Sequence, residues 1–148
     1  MTAAPEFYPM PSFPTLSVTD IVASTEWYRD TLGFDLIFEM PGAAGAPVLT
    51  HLRWAKYADL LLVPDQSGVQ EKGVGVTLNF AMGEACVDKL AESVQAKGTQ
   101  GNGPVDQPWN AREFTVLDLD GYRLTFTQPI NLDLSIDDVT DAVRGTDQ

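Results

Sequence analysis

Few residues in this chain have side chains suited to acid–base, nucleophilic or metal chemistry. The 148 residues include one histidine, His51, and one cysteine, Cys86. A hydroxyl or thiol nucleophile would need His51 as its base, yet no serine stands in a G-x-S-x-G elbow, and an inert, packed thiol is the expected role of Cys86. A metal site built from His51, Asp59 and Asp65 would have a spacing that resembles no ligand set. We favour a structural role for His51 and keep a role in binding open.

A second candidate segment is LDLDGYRLTFTQP, residues 117–129. The Asp-Gly pair at 120–121 is suited to a hairpin turn between two strands. Alternation in the second of these strands puts Arg123, Thr125 and Thr127 on one face. Their neighbours Leu124 and Phe126 must cover the helix side, so that face is predicted to be the open one.

The composition limits the class of protein. A hydrophobic fraction of 44% indicates one folded domain rather than a disordered chain. The net charge of −12 disfavours nucleic acid as a partner, and no apolar run is long enough to span a membrane. One cysteine excludes an internal disulfide, so we expect a cytoplasmic protein.

The elements that position these residues occur in two similar sets. In the first, a strand in PTLSVTD leads to Asp20 as an N-cap and to a helix over residues 21–32 that ends at Gly33. The inner face of this helix is predicted to carry Ile21, Tyr28 and Leu32. Three strands follow, at Phe34–Met40, Val48–Trp54 and Ala58–Val63.

The second set repeats this order. A strand at Val76–Met82 is followed by a helix that ends at Gly98, whose apolar stripe is Val87, Leu90, Ala91 and Val94. Strands in REFTVLDL and YRLTFTQ come next, and a short edge strand is possible between Gly98 and Gly103. The two sets are offset by 64 or 65 residues, which predicts two βαβββ modules packed together in an α+β fold.

The expected domain organisation follows from these modules. An N-terminal extension at 1–12 lies extended across a surface or crosses to a partner subunit. A single domain spans 13–130, with modules at 13–65 and 74–130. An acidic tail occupies 131–148, and we favour a solvated tail over a short helix capped by Ser135.

Two segments, LSVTDIVASTEWYRDTLGF and FTVLDLDGYRLTFTQ, resemble the opening and the closing strand pair of the vicinal-oxygen-chelate superfamily. That superfamily contains glyoxalase I, extradiol dioxygenases and bleomycin-resistance proteins. The resemblance runs from Phe13 to Gln128 and implies a cup-shaped mixed sheet. It specifies the fold better than the function.

Members with catalytic activity hold a divalent metal through one side chain from the first and one from the last strand of each module. Carried over to this chain by alignment and strand parity, those positions are Phe13, Leu61, Thr77 and Thr125. None is a good ligand for a divalent ion. We therefore expect no metal and no other cofactor.

The metal-free branch of the superfamily, which is bleomycin-resistance-like, implies a homodimer that binds a flat aromatic molecule in a cleft. We accordingly expect a binding protein, not an enzyme, that sequesters an aromatic or glycopeptide antibiotic and confers self-resistance. Aromatic and amphipathic side chains supply contact area for such ligands. The candidate ligand-binding residues are Phe13, Phe38, His51, Trp54, Leu61, Trp109 and Arg112.

Two alternatives remain. One is a small-substrate enzyme of the same fold, a lyase, isomerase or dioxygenase-like protein, with no metal or an atypical one. The other is a structural or regulatory module that binds protein and has no small-molecule pocket.

Overall fold

The first helix begins and ends where the sequence predicts. The computed structural model describes residues 3–145, and in it α1 covers Ile21–Trp27 and continues as a wider π-helical turn over Tyr28–Leu32. The Asp20 side chain accepts a hydrogen bond from the amide of Ala23, which confirms the N-cap. Gly33 ends the helix with a φ of 85°, a left-handed conformation that glycine adopts readily.

The first sheet contains four strands in the order β1-β4-β3-β2. The parallel pair is β1 with β4, and the other neighbours are antiparallel. These strands agree with the predicted ones to within a few residues, and their bounds are β1 Thr15–Val18, β2 Asp35–Pro41, β3 Pro47–Ala55 and β4 Ala58–Pro64.

One face of this sheet packs against α1. It contributes Leu16, Leu52 and Leu60, all at most 5% exposed, and Thr50 hydrogen-bonds Thr25 of the helix. The predicted inner face of the helix is confirmed, because Ile21, Tyr28 and Leu32 are buried. Since successive strand residues point to opposite faces, the remaining face receives the other half of every strand.

The second sheet repeats this plan in the order β5-β8-β7-β6, with β5 parallel to β8. Its helix, α2, covers Val87–Ala96, and Gly98 follows with a φ of 85°. The core under α2 is formed by Phe80, Phe114, Val116, Leu124 and Phe126. The strand bounds are β5 Thr77–Ala81, β6 Gly101–Gln107, β7 Ala111–Leu117 and β8 Arg123–Pro129.

The described residues group into two compact units. The first unit runs to Lys72 and also includes Asp118–Asp120, while the second begins at Gly73. Two hydrogen bonds tie the Asp118–Asp120 turn to α1 and to the residue before its N-cap. The Tyr28 hydroxyl donates to Asp118 at 2.7 Å, and the amide of Thr19 donates to Asp120 at 2.9 Å.

The C-terminal segment differs from the preferred expectation of a solvated tail. A helix, α3, covers Ile136–Gly145. Ser135 and Asp138 bond each other reciprocally: the Asp138 amide donates to Ser135 Oγ, and the Ser135 amide donates to Asp138 Oδ2. This capping box satisfies amides that a helix start leaves without partners. None of the helix residues is buried.

The N-terminal segment crosses the first sheet over the end of β3 and β4. The hydroxyl of Tyr8 donates to Asp59 Oδ2 at 3.0 Å and accepts from the amide of Tyr57 at 2.7 Å. Arg53 donates to Asp59 Oδ1 at 2.7 Å and to the carbonyl of Glu6 at 2.8 Å, and its guanidinium lies over the Tyr8 ring. We call Tyr8, Arg53 and Asp59 the ionic cluster.

Removing the carboxylate of the ionic cluster is expected to destabilise the protein strongly. The side chains of Asp59 and Arg53 are 1% and 11% exposed, so Asp59→Asn leaves a largely buried guanidinium without its anion. We expect the free energy of unfolding in urea to fall by about 3 kcal/mol. The matched control is Asp35→Asn, because Asp35 of the neighbouring strand β2 also pairs with Arg53 but is exposed. This substitution should change the free energy of unfolding by less than about 0.5 kcal/mol. Equal effects of the two variants would contradict this account.

The turn after β4 generates a pH prediction. Hydrogen bonds from the hydroxyl and amide of Ser67, with a smaller effect of Lys72, lower the pKa of Asp65 to about 2. The pKa of Asp65 is lower in the folded protein than in the unfolded one. This turn therefore stabilises the fold fully at pH values above the unfolded pKa of about 3.9, and the contribution is lost as the pH falls through about 2. A carboxyl NMR titration should give a pKa near 2 for Asp65. Ser67→Ala should raise it, whereas the neighbouring Gln66→Ala should not, and an ordinary value in the unsubstituted protein would refute the assignment.

Candidate functional site

The face of the first sheet opposite α1, which we call the first open face, carries a row of side chains in register across all four strands. Phe38 of β2 lies opposite His51 of β3, His51 lies opposite Leu61 of β4, and Leu61 lies beside Thr15 of β1. Directly opposed residues share a face, so these four form one continuous strip, here called the Phe38 row. Three of the seven predicted binding residues, Phe38, His51 and Leu61, are thus brought together.

The Phe38 row is partly apolar and accessible. Phe38 is 43% exposed, and Met40, two residues further along the same strand, is 46% exposed. Leu61 is half-buried at the centre of the sheet. Large apolar side chains in adjacent positions on an exposed face mark a surface that binds a ligand or a partner.

His51 lies at the junction of the Phe38 row and the ionic cluster. It is 7% exposed, and its Nε2 atom has no hydrogen-bond partner among residues 3–145. The nearest carboxylate oxygen, Oδ2 of Asp59, is 3.6 Å away, a distance too long for a good hydrogen bond. The Tyr8 hydroxyl donates a hydrogen bond to that same oxygen at 3.0 Å. A buried polar atom without a partner is rare in a folded protein, and this nitrogen is shielded from solvent beside the Asp59 carboxylate.

The ionic cluster limits the first open face on one side. Its hydrogen bond to Asp59 raises the pKa of Arg53 above its ordinary value, so the guanidinium is charged at every accessible pH. A depression of about 840 Å³ adjoins it, lined in part by Pro5, Asp35 and Arg53.

The second sheet has an open face of different chemistry. On the side opposite α2, Asn102 lies opposite Thr115, Thr115 opposite Thr125, and Thr125 beside Asn79. The hydroxyls of Thr115 and Thr125 are 2.8 Å apart and bond each other. These four uncharged polar side chains form what we call the Asn102 row. Arg123 stands in the next row, between Thr77 and Leu117.

The register confirms one prediction from the sequence and gives Thr125 a partner. Arg123, Thr125 and Thr127 pair with residues of the second open face on both sides, so they share that face as predicted. Thr125 is 5% exposed and holds Thr115 in place.

Two predicted site residues, Trp54 and Arg112, lie on the faces that the helices cover and not on the open faces. The Trp54 ring packs against Phe34 at 5.5 Å, and Phe34 packs against Tyr28 of α1. Three positions separate Trp54 from His51, which in a strand of period two means opposite faces.

Arg112 is the second of these residues. It donates to Asp88 of α2 and to Asp106 of β6 at 2.9 and 2.7 Å. These two carboxylates raise the pKa of Arg112. Its charge is therefore used to join α2 to the sheet.

The remaining two predicted residues lie at the margins. Phe13 precedes β1 and is 42% exposed. Trp109 is half-exposed in the turn between β6 and β7, and its indole N–H donates to Glu113 of the second open face at 3.0 Å.

The positions that the resemblance assigns to a metal do not suit one in this chain. Phe13 and Leu61 have no donor atom, and the Thr125 hydroxyl is bonded to Thr115. Across residues 3–145 no group of three or more histidine, cysteine, aspartate or glutamate side chains is arranged to hold a metal ion.

The sequence does not single out Met40, Arg53, Asn79 and Asn102, although strand alternation contains the signal for the first three. Each of those three lies two residues from a position named in its own strand, namely Phe38, His51 and Thr77. Asn102 gives no such signal, because its partner Thr115 is not among the predicted residues. In the part of the chain described by the structure, no helix has both the length and the apolar character needed to cross a membrane.

Comparison with solved structures identifies several proteins of similar fold. TnmS3, an antibiotic binding protein from Streptomyces sp. CB03234, is 27% identical, with a TM-score of 0.62 over 79% of this chain and 93% of that chain. A glyoxalase/bleomycin resistance protein from the same Streptomyces is 24% identical, with a TM-score of 0.63 over 78% and 97%. TioX from Micromonospora sp. ML1 is 22% identical, with a TM-score of 0.64 over 79% and 96%. The last two likenesses show the fold alone.

No curated protein sequence matches this chain. The family model described as Glyoxalase/Bleomycin resistance protein/Dioxygenase superfamily matches residues 12–126. That span covers both βαβββ modules, apart from the last three residues of β8. The resemblance seen in the sequence is confirmed, and the chain belongs to the glyoxalase/bleomycin resistance protein/dioxygenase superfamily.

Proposed function

We propose that this protein binds an aromatic or glycopeptide antibiotic of the antitumour type and sequesters it without chemical change, which confers self-resistance. The observation that carries the proposal is the Phe38 row, where an exposed aromatic ring, a leucine and a histidine with an unpartnered nitrogen lie side by side. Such a combination supplies apolar contact area together with a few polar groups that fix orientation.

The chemistry of the Phe38 row suits a planar ligand. A flat ring system stacks on Phe38 and covers Leu61, and an aromatic pair of this kind contributes about 0.5–1.5 kcal/mol beyond the area it buries. The imidazole of His51 lies between these two side chains and adds a polar ring to the apolar surface that the ligand covers. Nothing in this arrangement requires a bond in the ligand to break.

Two further observations support binding in preference to catalysis. The four positions used for metal in catalytic relatives carry Phe13, Leu61, Thr77 and Thr125, and none of these side chains suits a divalent ion. TnmS3, whose name says that it binds an antibiotic, is 27% identical over most of its length. We further propose that the protein acts as a homodimer in the cytoplasm and needs no metal or other cofactor.

A second candidate is favoured by the His51–Asp59 pair. A buried carboxylate 3.6 Å from an imidazole is an arrangement from which a general base can be built. An enzyme of this fold that turns over a small substrate, with no metal or an atypical one, would lose activity on His51→Ala. Loss of activity on Arg112→Ala would instead report the contact between Arg112 and Asp88 of α2.

The binding proposal predicts a tight complex with at least one planar antitumour antibiotic. Titration of the protein, followed by quenching of its three tryptophans, should give a dissociation constant at or below about 10 μM, about 7 kcal/mol. Mass spectrometry of the recovered ligand should show an unchanged mass. A chemically altered ligand would favour the enzyme. If none of the planar antitumour antibiotics tested binds, the proposal that the protein sequesters them is contradicted.

The Phe38 row predicts which side chain matters most. Phe38→Ala should weaken binding of that antibiotic by about 5–30-fold, because an interface aromatic removed from a contact costs about 1–2 kcal/mol. Phe7→Ala is the matched control, since Phe7 is 68% exposed outside the row, and it should leave the dissociation constant within about twofold. Calorimetry of both variants measures the difference. Equal losses of affinity in the two variants would show that the Phe38 row is not the binding site.

A further inference from the structure

The Asn102 row has a composition that folding alone does not explain. Its four members, Asn102, Thr115, Thr125 and Asn79, cross β6, β7, β8 and β5 in register. Asparagine is disfavoured in strands, yet it occupies both ends of this row. Residues that oppose the local structural preference are expected where function requires them.

The two asparagine side chains are free to bind. Both are exposed, and neither forms a hydrogen bond within residues 3–145. Between them, Thr115 and Thr125 bond each other, which leaves one hydroxyl hydrogen and several lone pairs unused. The row therefore presents donors and acceptors in alternation and carries no charge.

The surroundings of the row are concave and include a guanidinium without a carboxylate partner. A depression of about 610 Å³ is lined by Asn102, Thr115, Leu117 and Arg123 among others, a volume within the range of small-ligand sites. Arg123 makes no ion pair with any residue between 3 and 145, although the chain has 21 acidic residues against nine basic ones.

An aromatic side chain is held beside the same face. The indole of Trp109 is fixed by its hydrogen bond to Glu113, which lies on this face opposite Thr127. Half of the indole is exposed. An exposed indole ring can stack on the apolar C–H face of a saturated ring whose edge carries polar groups.

We infer that the second open face is a binding site for a neutral glycosyl group, with the amides of Asn79 and Asn102 and the Thr115 hydroxyl bonding the sugar hydroxyls. Sugar hydroxyls donate and accept at once, as do amides and hydroxyls, whereas an anion would need more than the one cation at the margin. The inference rests on the proposed function in one respect, because it assigns the sugar to a glycosylated antibiotic.

The test uses small glycosides, so that it does not depend on the antibiotic. Methyl α-D-mannoside, methyl β-D-glucoside and methyl α-L-rhamnoside are titrated into the ¹⁵N-labelled protein. At least one should give saturable shifts of the Asn79 and Asn102 side-chain amides and of the Thr115 and Thr125 backbone amides. A fragment of this size is expected to bind with a dissociation constant of about 1–10 mM.

Variants separate this site from general sugar binding. Asn79→Ala and Asn102→Ala should each weaken binding about three- to tenfold, the effect of one hydrogen bond. Gln95→Ala removes an exposed amide from α2 and should change nothing. Absence of saturable shifts, shifts confined to the first sheet, or binding that survives both asparagine substitutions would overturn the inference.

The two proposals fail differently. Antibiotic binding without glycoside shifts at the Asn102 row overturns the glycosyl site and leaves sequestration standing. Glycoside shifts at the row without binding of any antibiotic overturn sequestration and leave the glycosyl site standing.

Discussion

Each of the two sheets is covered by one helix on one face, and this constraint determines where function can reside. Because strand side chains alternate, the apolar half of every strand must point to α1 or α2 to form a core. The other half does not have to pack against a helix. In the first sheet that half contains Phe38, His51 and Leu61, and in the second it contains Asn79, Thr115 and Asn102.

The two open faces differ in chemistry, and neither has to pack against a helix. The first combines exposed apolar side chains with a buried ion pair, and the N-terminal segment contributes Tyr8 to that pair. The second is uncharged along its central row. Two copies of one architecture thus provide two kinds of surface, which we propose bind flat apolar rings and hydroxylated groups respectively.

The sequence was sufficient for those parts of the fold that short-range chemistry determines. Asp20 and Gly33 mark the ends of α1 through a side-chain cap and a left-handed glycine, and both are local signals. The edge strand β6 is longer than the sequence indicates. Its segment GNGPVDQ is rich in glycine, asparagine and proline and lacks strand propensity, so the strand is held by backbone pairing with β7.

The site was harder to predict, because it depends on which residues face the same way. Trp54 and Arg112 were selected for their chemistry, although alternation from His51 and from Thr115 places both towards the helices. Arg53 and Asp59 went unrecognised as a pair since they are brought together only by the register of β3 with β4. The unpartnered nitrogen of His51 is visible only in three dimensions.

A crystal structure of the protein with a planar antitumour antibiotic that it binds tests the central claim most directly. The account predicts ring density against Phe38 and Leu61 with a polar edge at His51, and unchanged packing of Trp54 under α1. Density lodged between a sheet and its helix, or a ligand that leaves the Phe38 row uncovered, would contradict it.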